Sequence, residues 1–498
     1  MIENTSTTHS RDELEKLSKE QLIDILLSKT VVDSVLGEAT TSKKDTDPPS
    51  VGDPFLKEHV DPTTKTKAKP KPKVKVSRPF DISKYQCRPI ALKVFYLGWN
   101  YMGLASQGEN SCALPLAKSS KGDSMTLDVK NANKNIVTTI EDYIFSALET
   151  CRLIADAKNV DLSRCGRTDK GVSGLCQVLV ISLRSALSKE QLEDEPLMVD
   201  GELSYIDMIN KSLPEDIRVL SWAPAPSSFN ARFNCKSRSY KYFFTTHGTE
   251  LDVERMKEAC NYLVGTHDYR NFCRQDGSKQ LTSFVRDIFE AQIQSTDISY
   301  PGTKAISSGA YEVFVRGSGF LWHQIRCIMA VLFRIGQGLE LPSLVKSLLD
   351  IEQLKQKPVY ELACPYPLVL FDCTYDIPLN WQVNSQSSTT SLLRVYRSIY
   401  TQWYESLTKA YHFSNVLRVL DQGQGGLAQL LDLDSTAIPV IMGGGSDNYV
   451  RRYIPIMKRP RSAPVEVTNK KYLDRKLAKL ESKKHLEADE NGSNASKA

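Results

Sequence analysis

Between Ile90 and Tyr375 the chain runs twice through one cycle of strand-like and helix-like segments, and this repetition limits the possible folds most. In the first pass, Ile90 to Leu97 reads as a strand. A helix then puts Ile136, Ile140, Ile144 and Leu148 on one face, and a strand runs through Val178, Val180 and Ser182. A helix near Ile206 to Leu213 and a strand near Arg218 to Trp222 close it. The second pass has strands at Ser237 to Thr246, Phe284 to Gln294, Tyr311 to Arg316 and Leu368 to Tyr375. Its helices run from Val253 to Val264 and from Phe320 to Ile335, the latter ended by Gly336 and Gly338. The pattern predicts an α+β fold of two related lobes with a cleft between them.

What flanks this region is different. Ser10 to about Val35 reads as a helix with a possible capping box at Ser10 and Glu13, and Gly37 to Pro79 is a polar, Lys/Pro-containing linker expected to be disordered. A polar stretch from Gln107 to Asn135 has no periodicity and is expected to be a surface insertion. Ser391 to Leu420 reads as helical and is followed by a Gly-rich turn at Gly443 to Gly445. The expected division is 1–36, N-terminal helix; 37–87, linker; 88–225 and 226–376, the two lobes; 377–430, helical extension; 431–498, basic tail.

Charge narrows the function classes. The formal net charge is only +5, but it is unevenly spread, with a lysine run from Lys65 to Lys75 and a basic stretch from Arg451 to Lys484. Basic arms on a near-neutral body suit a nucleic-acid ligand, and equally suit solvated tails carrying an import signal. The eleven cysteines contain no Cys-x-x-Cys pair, which argues against a disulfide framework or a zinc ribbon. No apolar run is long enough for a membrane span, and the N-terminus lacks the apolar stretch of a signal peptide. The expected setting is therefore nucleus and cytoplasm, with no membrane partner.

The run from Arg164 to Ser173 carries the most chemistry. One carboxylate, Asp169, sits between Arg167 and Lys170 in a turn punctuated by Gly166 and Gly171. Glycine allows backbone angles that push a side chain out at a cleft. A metal site would want several ligands, whereas one Asp among cations suits a nucleophile or base working beside a polyanion. A surface turn with a structural Asp fits the same residues.

Gly166 to Val172 resembles the signature of the TruA family of tRNA pseudouridine synthases, whose Asp is the nucleophile. Tyr96 to Gly103 resembles the family's first strand and aromatic turn. Phe229 to Phe233, followed by Arg238 to Tyr242, resembles the segment carrying the tyrosine that packs on the uracil. Gly319 to Arg326 resembles the helix start carrying the arginine that pairs with the nucleophile. The resemblance spans about residues 88–376. Gly265 to Phe272 and the C-terminal extension point to the eukaryotic branch acting at tRNA positions 38 and 39, at the foot of the anticodon stem. Ser173-Gly174 stands where many relatives carry His-Ala, so no role for that His carries over.

The resemblance implies two RNA-recognition-like lobes around a basic cleft, a homodimer, and one tRNA touching both subunits. It implies Asp169 as nucleophile, Tyr240 against the uracil, Leu321 as the opposite wall, and Arg326 paired with Asp169. Arg167 would fill the gap left by a flipped nucleotide, and Lys170, Arg232 and His267 would contact RNA. Attack could fall on C6 of the base or C1′ of the sugar. The reaction needs no cofactor and no metal. Two other readings stay open: a catalytically silent tRNA-binding protein, and a sister synthase acting elsewhere on tRNA.

Overall fold

The computed structural model describes residues 80–106, 138–246, 251–298, 307–383, 389–423, 438–445 and 447–495. The N-terminal helix, the Lys/Pro linker and the polar insertion expected from the sequence lie outside these residues.

The centre is a nine-stranded sheet. In chain order its strands are β1 (Cys87–Tyr96), β2 (Leu162–Arg164), β3 (Ser173–Arg184), β4 (Ile217–Pro224), β5 (Cys235–Thr245), β6 (Gly265–Asp268), β7 (Val285–Asp297), β8 (Ser307–Gly317) and β9 (Leu368–Tyr375). Their spatial order is β4-β1-β3-β9-β5-β8-β7-β6, with β2 also paired to β3. Among the described residues every strand pairing is antiparallel except one. The halves meet at a parallel seam, where Ser173 and Gly174 of β3 pair with Val369 and Leu370 of β9. The two expected halves are thus parts of one continuous mixed sheet, and the seam lies just after the Asp169 turn.

Alternation along the strands sorts side chains to two faces. On β1, Ile90, Leu92, Val94 and Tyr96 pack beneath α1 (Ile140–Thr150), α2 (Lys189–Asp194) being peripheral, and α3 (Tyr205–Asn210). Ala91 joins Val178, Val180 and Leu370 in a smaller cluster on the opposite face. α1 begins at Thr139, whose hydroxyl and the Asp142 carboxylate cap each other's backbone N–H groups. The second half packs α4 (Val253–Asn261) and α5 (Gln324–Gly336) into a separate core with Tyr242, Phe244 and Ile288. Almost every residue of α5 is buried, as its near-continuous apolar sequence requires.

α5 starts four residues later than the expected Phe320. His323 adopts a left-handed conformation (φ 61°) that ends the loop and starts the helix. Leu321, Trp322 and His323 therefore sit on a loop rather than on a helical face.

Beyond α6 (Leu344–Leu349), α7 (Thr389–Gly423) matches the expected helical extension. The region read as a basic tail is more structured than expected. It forms a hairpin of β10 (Ile438–Ile441) and β11 (Asp447–Val450), then a long helix α8 (Val465–Ala495). The triple-glycine turn, with positive φ at Gly443, Gly444 and Gly445, lets this segment lie against the body. A Cβ on Gly444 would stand 2.6 Å from the Cys364 sulfur. Ile456 is fully buried. No described helix is long and apolar enough to cross a membrane.

Candidate active site

The Asp169 turn is shaped by the aromatic turn that precedes it in sequence. The Tyr96 and Thr168 hydroxyls are 2.8 Å apart in the core. Leu104 N–H donates to the Thr168 carbonyl at 3.1 Å, and Gly171 N–H to the Tyr101 carbonyl at 3.4 Å. Gly103 has φ 100°, and a Cβ there would lie 2.8 Å from the Thr168 carbonyl oxygen, so the strand-to-turn packing requires glycine. The Ser173-Gly174 pair has a local explanation as well. Ser173 Oγ accepts the Gly98 N–H at 3.0 Å, and a Cβ on Gly174 would stand 2.7 Å from the Tyr96 ring.

Of the two glycines in the turn, Gly171 needs its freedom, with φ 80°. Gly166 is instead held by the buried Gln177 amide, which accepts its N–H at 3.3 Å and donates to its carbonyl at 2.9 Å. Arg164, at the end of β2, is fixed by an ion pair at 2.7 Å to the buried Glu141 carboxylate in the first turn of α1.

The turn lines a cavity of about 1080 Å³. Asp169, Tyr240, Leu321, Arg326, Arg167 and Arg232 all face it. Lys170 is exposed just outside the lining. His267 is elsewhere, on the edge strand β6, with its Nε2 3.1 Å from the Val264 carbonyl. Tyr240 comes from β5 and meets Phe320 edge-on, ring centres 5.2 Å apart. Burial holds its hydroxyl protonated, far above its ordinary range.

Asp169 has neighbours that the sequence did not place beside it. Trp322 Nε1–H donates to Oδ1 at 3.1 Å, and His323 Nε2 is 3.4 Å from Oδ2. The contact with His323 is not an ion pair. Burial, then Arg326, Arg274 and Lys357, push the imidazole down to about 3, so it is neutral at physiological pH. Among the described residues no ion pair under 4 Å joins Asp169 to Arg326, which corrects the expectation of a direct pair. Arg326 Nε donates to the Ala363 carbonyl at 2.7 Å, and its charge acts on Asp169 across space. The carboxyl pKa is raised, because burial outweighs the Trp322 hydrogen bond and the fields of Arg326 and Arg274.

Two further arginines organise the walls. The Arg274 guanidinium lies over the Trp322 ring at 4.8 Å, and the Arg274 backbone N–H donates to the Trp322 carbonyl at 2.9 Å. Arg238 donates to three carbonyls, those of Cys165, Ser318 and Arg232, with shortest distances of 2.9 Å each. It thereby ties the Asp169 turn, the Leu321 loop and the Phe229–Asn234 turn together. Its place two residues before Tyr240 was the only sequence signal for it. Cys165, in the same turn, is buried and packs against Cys235 with sulfurs 3.4 Å apart. Among the described residues no group of three or more His, Cys, Asp or Glu side chains is arranged to hold a metal.

A family model described as tRNA pseudouridine synthase matches residues 259–376. The tRNA pseudouridine(38/39) synthase of Saccharomyces cerevisiae is 37% identical over 403 residues, covering 80% of each chain. The proteins of the same name from Bos taurus and Homo sapiens are 36% and 33% identical, each covering 78% of this chain and 77% of their own. With similarity of that extent running through the sheet seam and both walls of the cavity, the chain belongs to the TruA family of tRNA pseudouridine synthases.

Proposed function

We propose that the protein converts uridine to pseudouridine at positions 38 and 39 of tRNA, with Asp169 as nucleophile. Membership of the family makes it an isomerase acting on tRNA. The positions come from the names of the relatives, and the nucleophile from the cavity. Among the described residues two carboxylates line that cavity, and Asp276 caps its own loop by accepting the Ser278 N–H at 2.9 Å. Asp169 alone points its oxygens at an indole donor and two arginine fields. This is the observation that carries the reading.

The chemistry follows from the parts. A uridine rotated out of its stack enters between Tyr240 and Leu321. The Asp169 carboxylate forms a bond to C6 of the base or C1′ of the sugar, and the N1–C1′ bond breaks. The base turns within the cavity, C5 bonds to C1′, the C5 proton leaves, N1 gains a proton and the Asp169 bond is released. Atoms and charge balance without an outside reagent. Tyr240, held protonated, presents an apolar ring face and a hydroxyl. Arg326 and Arg274 offset the charge on the carboxylate while leaving its oxygens free to react.

We read the two halves of the sheet as RNA-recognition-like lobes, with the cavity at their seam as the floor of a basic cleft. Arg167, Arg232 and Lys170 would hold the phosphates flanking the target, giving binding that weakens with salt. An unmodified tRNA transcript, incubated with the protein and mapped at base resolution, tests the whole reading. Pseudouridine at 38 and 39 supports it; modification only elsewhere removes the positional assignment. No modification at all favours a silent tRNA-binding protein.

A further inference from the structure

Phe233 is 79% exposed, the highest value among the large hydrophobic side chains on the described surface. A single exposed hydrophobic residue normally needs no explanation. This one lines the same cavity as Asp169. It also sits on a turn whose backbone is fixed at nearly every polar group. Asn230 Oδ1 accepts the N–H groups of Arg232 and Phe233 at 3.0 and 3.2 Å. Asn234 Oδ1 accepts the Asn230 N–H at 2.7 Å. Ala231 N–H donates to Ser163 Oγ at 3.0 Å, and its carbonyl accepts the Tyr375 hydroxyl at 2.9 Å. The Arg232 carbonyl accepts from Arg238.

The same turn buries Phe229 and Ala231 in the core while holding Arg232 and Phe233 out. The exposure is therefore imposed by the anchoring, not a result of slack. The Arg232 guanidinium lies 5.6 Å from the Phe233 ring centre, so a cation and an aromatic face are offered together. That pairing suits one nucleotide: a base for the ring and a phosphate for the guanidinium.

Resting on the reading of the cavity as a tRNA site, we propose that Phe233 is a stacking site for an unpaired base next to the target uridine, with Arg232 on that nucleotide's phosphate. Flipping the target breaks stacking with its neighbours. A rigid ring at the mouth replaces a lost partner and holds the strand open at little entropic cost.

A double-mutant cycle tests this. The full-length Asp169→Asn protein, which cannot turn over, is titrated with an anticodon stem-loop RNA. The RNA carries either its normal bases or an abasic nucleotide at each position flanking the target. With Phe233 present, one abasic position should weaken binding about 5- to 100-fold, the scale of a base–aromatic stack. Adding Phe233→Ala should weaken the intact RNA by a similar factor and make that abasic position silent. Phe233→Trp should restore both the affinity and the abasic effect, and Phe233→Leu should restore neither.

Additive effects of Phe233→Ala and every abasic position would overturn the stacking proposal alone, since the stem-loop still binds. So would Phe233→Leu binding like the parent, or a loss confined to self-association of the protein. Failure of the stem-loop to bind with Phe233 intact would overturn both this proposal and the tRNA reading beneath it. Because the ring is exposed, each variant should melt with the parent protein.

Discussion

The Trp322 indole N–H donates to Asp169 Oδ1 across 153 residues of sequence. This hydrogen bond joins the loop before α5 to the turn before β3, so the two walls of the cavity are locked together through the carboxylate itself. The indole is held in turn by the Arg274 guanidinium over its ring and by the Arg274 backbone N–H on the Trp322 carbonyl. Trp322 thus fixes the direction of the Asp169 carboxylate and favours its charged form.

Replacing Trp322 with Phe keeps a ring beneath Arg274 and removes the donor. Asp169 already has a raised pKa, and losing one charge-assisted hydrogen bond raises it further. The acid limb of the kcat–pH profile should move upward, because the hydrogen bond that favours the charged carboxylate is gone. At pH well above that limb, KM should change little. An unmoved acid limb would show that the indole does not tune the carboxylate.

Asp169→Asn should abolish turnover and still fold. The sign of its effect on stability follows from the raised pKa. Between the ordinary value of 3.8 and the higher folded value, the folded chain binds more protons than the unfolded chain. Stability therefore falls as pH rises through that window, and above it the fold carries a disfavoured anion. The Asn protein should melt at or above the native temperature at neutral pH, and the difference should vanish below about pH 3.8. A variant melting well below the native protein at pH 7 would contradict this sign.

Arg326→Ala is expected to lower kcat by about 10²–10³, the cost of removing one electrostatic stabiliser of a reacting centre. Its effect on stability should be modest. A directly paired buried carboxylate would be stranded at a cost of about 3–5 kcal/mol. Arg326 instead bonds the Ala363 carbonyl, so about 1.5–3 kcal/mol is expected, the scale of one hydrogen bond to a charged group. Thermal melts of the variant distinguish these magnitudes, and a loss above 3 kcal/mol would restore the direct pair.

The strands and most helices were legible because their apolar periods are clean. β9 spans Leu368–Tyr375 as read, and α1 buries Ile140, Ile144 and Leu148. The start of α5 was misplaced because Phe320 and Leu321 fit a helical period, while a left-handed His323 has no such signature. The hairpin β10–β11 was missed because each strand is four residues long, and the three glycines between them read as a loop. Asp169 was legible as a candidate nucleophile in a turn of defined composition. Its partners were not, since Trp322 and Arg274 reach it only once the sheet closes at the β3–β9 seam. Arg238 was obscured for a different reason. Its partners are backbone carbonyls, which leave no mark on the sequence.

That dependence on carbonyls makes Arg238→Lys informative. The guanidinium reaches Cys165, Ser318 and Arg232 at once because its donors fan out in a plane. An ammonium on a shorter reach keeps the charge and satisfies only part of that set. The variant should lose about 2–3 kcal/mol of stability, on the scale of hydrogen bonds to a charged group. It should also lose kcat, because the Asp169 turn and the Leu321 loop are no longer tied. The salt dependence of tRNA binding should be unchanged, since the number of cations facing phosphate is the same. Native stability together with weakened tRNA binding would mean that Arg238 serves the RNA directly, and that the walls of the cavity are held by something else.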